Sequence, residues 1–130
     1  MMRSRSLALH VLDGRFAVCR LPPTSPVPDW ALAGAFASVT RTADELSVVC
    51  AEDAVPAEVK AARGWRGLRF EGPFAFEETG VLASVTAPLA AAGVSLFALS
   101  TYDTDYVLVR DGDLARAVAA LREAGHRVEG

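Results

Sequence analysis

The densest chemistry in this chain lies in two short acidic runs. One is Phe76-Glu77-Glu78-Thr79-Gly80, and the other is Ser100-Thr101-Tyr102-Asp103-Thr104-Asp105. Carboxylates brought together by a fold can work as a general acid and base, or hold a cation. Acids ahead of a helix or inside a turn are also ordinary caps and turn formers, so spacing alone does not single out catalysis. His10 and His126 lie far apart in sequence and read as strand or loop residues rather than bases. No G-x-S-x-G, H-E-x-x-H or phosphate-loop pattern is present. Ser38, Thr40, Ser100 and Thr101 have no credible His partner to activate a hydroxyl, which leaves nucleophilic catalysis without support. Cys19 and Cys50 lack C-x-x-C spacing and sit in apolar runs. They read as buried thiols kept reduced, not as a disulfide or metal site. No metal and no cofactor is expected.

The composition bounds the setting of these residues. At 130 residues and 52% apolar content the chain has enough apolar surface to fold, which excludes a disordered class. A net charge of −3, with Lys60 the only lysine, argues against nucleic-acid binding and against adhesion to an acidic membrane. The basic start before Leu7 is followed by an apolar run too short for a secretory segment. Residues 81–99 carry no charge, but Pro88 and Gly93 split them into a helix and a strand rather than a membrane span. The expectation is a cytoplasmic protein.

Element signals then place the acids. Asp13-Gly14 between apolar runs 7–12 and 16–21 predicts a hairpin. Prolines 22, 23, 26 and 28 predict a loop, with Asp29 capping a short helix through Trp30 and Leu32. Runs 36–40 and 46–51 form a second hairpin-like pair. Pro56 predicts a helix start, continuing through Val59 and Ala62 and ended by Gly64. In the second half a strand over 68–76 precedes a helix capped by Thr79 or Glu78. Val81, Val85, Leu89 and Ala92 recur on it at helical spacing, and Gly93 closes it in the left-handed conformation. Strands over 94–101 and 105–110, a helix from Asp113 ended by Gly125, and a short strand at 126–128 complete β-α-β-β-α-β. The first half follows as β-β-α-β-β-α. The fold class is therefore α+β: two ferredoxin-like βαββαβ units in tandem, mainly antiparallel with helices on one face, the first covering 1–66 and the second 67–130.

Residues 76–82 and 100–109 resemble the ACT domains, small amino-acid-binding regulatory modules. The nearest group is the tandem-ACT proteins related to the regulatory end of aspartokinases and to CASTOR-type cytosolic arginine sensors. A glycine opening the first helix and a Ser-Thr-Tyr-x-x-Asp turn carry the resemblance, which covers 67–130 closely and 6–66 by element order. It implies a non-catalytic regulatory protein that senses a free amino acid at an interface between ACT units. By the resemblance, Glu78, Thr79, Gly80 and Val81 match the ligand-contacting helix start, and Thr101, Tyr102 and Asp105 match the turn. It also implies Ser95 and Leu96 as contacts supplied by a neighbouring copy. Thr104 stands where the arginine sensors carry an aromatic, so arginine specificity is not implied. Pro28-Asp29-Trp30 replaces the Glu-x-Gly helix start in the first half, and no equivalent site is expected there.

Elementary chemistry points the same way. A helix start leaves N–H groups at Gly80, Val81 and Leu82 without intrahelical partners, and its dipole favours an anion. Gly80 lacks a Cβ and permits close approach to the backbone. Glu78 and Asp105 would face a cationic group, so the cleft suits a zwitterion. In the middle strand, Val94, Leu96 and Ala98 face one side and Phe97 and Leu99 the other. Both faces are apolar and one needs a cover, for which a homodimer is the expectation. The rival reading is an oligomerising interaction module without a ligand. The downstream protein partner is not legible.

Overall fold

The structure, a computed structural model, describes residues 6–75 and 79–130. Its strands are β1 (Ala8–Val11), β2 (Phe16–Leu21), β3 (Ser38–Arg41), β4 (Leu46–Ala51), β5 (Ala61–Phe70), β6 (Leu96–Ser100), β7 (Asp105–Arg110) and β8 (Arg127–Glu129). Two α-helices, α1 (Val81–Ala91) and α2 (Leu114–Glu123), join them in an α+β fold of mainly antiparallel strands. Residues 13–65 form one compact unit; residues 66–130 together with the chain up to Leu12 form the other.

The second of these is a βαββαβ unit, β5-α1-β6-β7-α2-β8, in the order the sequence predicts. Its strands lie in the order β6-β7-β5-β1-β8, with β1 antiparallel to β5 and parallel to β8. Leu68 and Phe70 of β5, Val85 and Leu89 of α1, and Leu121 of α2 meet in one fully buried core. Burying side chains of this size contributes roughly 1.5–3 kcal/mol each. Both helices close on a glycine of positive φ, Gly93 at 74° and Gly125 at 99°. The next N–H then reaches back, Val94 to Leu89 O at 2.9 Å and His126 to Leu121 O at 3.0 Å, which satisfies otherwise orphaned carbonyls.

Helix α1 carries Pro88 in its interior. Proline has no N–H, so Ser84 O, its acceptor four residues back, loses its helical partner. His126 Nε2 stands 2.8 Å from that oxygen. Its Nδ1 accepts the Leu7 N–H at 3.0 Å, which assigns the neutral imidazole with its proton on Nε2. His126 is 4% exposed, and this pairing explains how a polar ring sits in the core. It lies in the loop before β8, where a strand or loop residue was expected, and serves there as a structural clasp.

The other unit holds β2, β3, β4 and the start of β5, around buried Cys19, Leu46, Val48 and Cys50. Several expectations fail here. β1 and β2 do not pair with each other among the described residues: each runs antiparallel to β5, at Leu68–Phe70 and at Ala61–Trp65 respectively. Asp13-Gly14 therefore makes no hairpin, and residues 6–12 belong with 66–130 rather than with the first unit. The expected helix at Asp29 is a single 3-10 turn, Asp29–Leu32, without a side-chain cap. The helix expected from Pro56 is absent; Val59 N–H bonds Pro56 O in a turn, and Ala61 and Ala62 enter β5. Gly64, with φ 81°, ends no helix but sits at a bulge where β5 shifts register against β2. The pair 36–40 and 46–51 does form a hairpin, as β3 and β4.

Candidate functional site

The 101–104 turn joins β6 to β7, which pair from Ser100 opposite Asp105 back to Leu96 opposite Val109. Thr101 stabilises it three ways. Its N–H donates to Thr104 O at 2.8 Å, its hydroxyl donates to the same oxygen at 3.1 Å, and its Oγ1 accepts Thr104 N–H at 3.3 Å. Ser100 Oγ donates to Asp105 Oδ1 at 2.5 Å, which orients the carboxylate at the mouth of the hairpin. Two further bonds hold the turn against the end of β5: Thr104 Oγ1 to Phe70 O at 2.8 Å, and Phe74 N–H to Asp103 O at 2.9 Å.

Helix α1 begins beside this turn. Its N-cap is Gly80, at φ 79°, and no side chain caps it, so the expected cap by Thr79 is not made. An L-residue resists that φ, which gives glycine a conformational reason in addition to its small size. Ser84 N–H already bonds Gly80 O, leaving the earlier N–H groups of the first turn outside the helical ladder. Val81 is buried and closes one wall of a pocket of about 240 Å3 whose other walls include Phe74, Thr101, Tyr102 and Asp105.

The pocket thus brings together four of the expected residues: Val81, Thr101, Tyr102 and Asp105. Thr79 and Gly80 are exposed next to Val81 and are not in its lining. Glu78 and its neighbour Glu77 lie outside the described residues. Ser95 is exposed and Leu96 half-buried, both away from this pocket. Ser100 and Phe74 line it as well, unforeseen. Ser100 was detectable in principle, since it is the last strand residue before a tight turn and so faces Asp105; nothing in the local pattern around Phe74 marks its approach.

Other chemistry is limited. Among the described residues no group of three or more His, Cys, Asp or Glu is placed to hold a metal ion. His10 does meet two acids, but Glu71 approaches Nε2 at 3.1 Å and Glu129 approaches Nδ1 at 3.7 Å, on opposite sides of the ring. Cys19 and Cys50 are free and buried. Burial above all pushes the Cys19 thiol up to about 11, with the Cys50 charge adding to this and Arg63 opposing it; burial also raises Cys50. Neither thiol is primed as a nucleophile. No helix among the described residues is long and apolar enough to cross a membrane.

A βαββαβ unit with a glycine-opened first helix, and a hairpin turn beside it, defines the class. Residues 60–123 match the model for the ACT domain, which puts this part of the chain in the ACT-domain family, and a second model, of an N-terminal domain, matches 14–58. The crystal structure of protein Atu0741 from Agrobacterium tumefaciens is 42% identical, covering 97% of this chain and 95% of that one, with a TM-score of 0.91. The human cytosolic arginine sensor for mTORC1 subunit 1 is 36% identical over 59 residues. That match takes 45% of this chain and spans only 18% of the sensor's length. The ligand-free regulatory subunit of aspartate kinase from Thermus thermophilus shares the fold, with a TM-score of 0.60 at 12% identity over 88% of this chain and 96% of that one. The last two are, by their names, a sensor and a regulatory subunit.

Proposed function

We propose that the protein is a non-catalytic regulatory sensor of a free amino acid. The observation that carries the reading is the pocket in which Val81, at an uncapped helix start, faces Asp105 across the 101–104 turn. Helix N–H groups suit the α-carboxylate of the ligand, and Asp105 suits a cationic group. Thr79 and Gly80 flank the carboxylate end, and Glu78, outside the described residues, is the second acid that the resemblance implies. The pocket is open on this chain, and Ser95 and Leu96 of a second copy complete it in a homodimer. Binding between copies then favours the paired state, which is how occupancy is reported to a downstream protein. The arginine-sensing relative supports the ligand class and a cytoplasmic setting, while Thr104 leaves the particular amino acid to experiment.

One observation favours the rival, a ligand-free interaction module: Asp105 already accepts the Ser100 hydroxyl and so has a purely structural use. Thermal-shift and calorimetric titration with each of the twenty amino acids separates the two. The sensor reading expects one amino acid to raise the melting temperature, with the shift lost in Asp105→Ala and weakened in Asp105→Asn. If all twenty leave the melting temperature unchanged, the module reading stands in its place.

A further inference from the structure

The 101–104 turn has a second side. We infer that it forms, with Arg69, a separate binding site for a small monocarboxylate anion. Strand alternation sends Leu68 and Phe70 into the core and leaves Arg69 half-buried on the opposite face of β5. There Arg69, Thr101, Asp103, Thr104 and Tyr106 line a cavity of about 330 Å3, larger than the pocket against α1.

The cavity is preformed. The Thr104–Phe70 and Phe74–Asp103 hydrogen bonds pin its walls together. Gly72 packs so closely that a Cβ there would lie 3.0 Å from Asp103 O and 3.1 Å from Thr104 Cβ. Among the described residues Arg69 has no ion pair and no side-chain hydrogen bond, although Arg66 on the same strand is paired with Asp111 at 3.3 Å. His10 sits opposite Arg69 in register, and its Nε2 lies 3.1 Å from Glu71 Oε1, within hydrogen-bond distance. An unmatched guanidinium in an open surface cavity presents a planar fork of donors, and a carboxylate matches that fork with two parallel bonds. Asp103 in the same lining disfavours a doubly charged anion such as phosphate.

Thr101, Asp103 and Thr104 line both cavities, so an occupant of one side changes the affinity of the other, reciprocally. The Arg69 site itself does not depend on the amino-acid reading. Its test is NMR titration of the full isotope-labelled chain with lactate, and separately with inorganic phosphate, at fixed ionic strength. The expected result is saturable shifts at the Arg69 Nε–H and the Thr104 amide with lactate. Arg69→Gln should weaken binding by about tenfold or more, the loss of charge-assisted bonds. Arg69→Lys, which keeps the charge but not the fork, should weaken it as well and reads the site if the glutamine variant folds poorly. Shifts that never saturate, an equal response to phosphate, or undiminished binding by both variants would overturn the inference. A chain that binds lactate here and responds to no amino acid keeps this site and loses the sensor reading; the reverse pattern does the opposite.

Discussion

Gly80 shows how much one residue can carry. A Cβ added there meets no atom within 4 Å, so its cost is in the backbone, at φ 79°. Gly80→Ala is expected to destabilise by roughly 1–2 kcal/mol, the penalty of a left-handed conformation for an L-residue. Chemical denaturation measures it, and an unchanged midpoint would remove the conformational argument. The cysteines give a pH signature. The folded Cys19 thiol titrates near 11 against an ordinary 9.0, so the folded state holds its proton more tightly than the unfolded chain. That contribution is complete below pH 9 and is lost as pH rises towards 11. Urea midpoints should therefore fall over this window, and fall less steeply in Cys19→Ala. At neutral pH both thiols should react with a disulfide reagent far more slowly in the folded protein than after unfolding.

At the scale of elements, Pro88 and His126 form a coupled pair although they are far apart in sequence. His126→Leu leaves the buried Leu7 N–H and the part-buried Ser84 O without these partners, at a cost of about 1–3 kcal/mol for a buried group left unsatisfied. Pro88→Ala restores an N–H four residues beyond Ser84, and should recover part of that loss in the His126→Leu background while doing less for the native chain. A double-mutant cycle with no coupling energy would show that the imidazole does not substitute for the missing helical bond. Strand β6 behaves differently from expectation. It pairs with β7 alone among the described residues, with Phe97 and Leu99 half-buried and Ala98 exposed. The apolar pattern on both of its faces was readable from the sequence, while its place at the edge of the strand order was not.

For the whole molecule, the consequential feature is that the βαββαβ unit takes a strand from the start of the chain. β1 lies between β5 and β8 and bonds to both. A fragment of residues 67–130 therefore lacks a central strand, and Leu9 is missing from its core. It is expected to give poorly dispersed amide resonances and a non-cooperative melt, and the full chain a cooperative one. A fragment that melts as sharply as the whole would show that β1 is dispensable. If the proposed amino acid binds between two copies, sedimentation should show the dimer fraction rising with ligand.

The second half was legible because its signals are local: helical spacing of Val81, Val85 and Leu89, and Ala-Gly pairs that stop both helices at Gly93 and Gly125. The turn residues Thr101 and Asp105 were legible for the same reason, since a tight turn places neighbours in sequence side by side. The first half misled because its signals were ambiguous. Asp13-Gly14 turns a chain whether or not the flanking strands pair, and Pro56 opens a turn as readily as a helix. Alanine-rich 61–62 became strand because β2 offered backbone partners that no helix propensity could outweigh. Composition and periodicity thus determined the class of the fold and the turn that carries the candidate chemistry. Only tertiary structure decided which strands pair, what stands in for the N–H that Pro88 lacks, and that one turn walls two cavities, because each depends on contacts between residues distant along the chain.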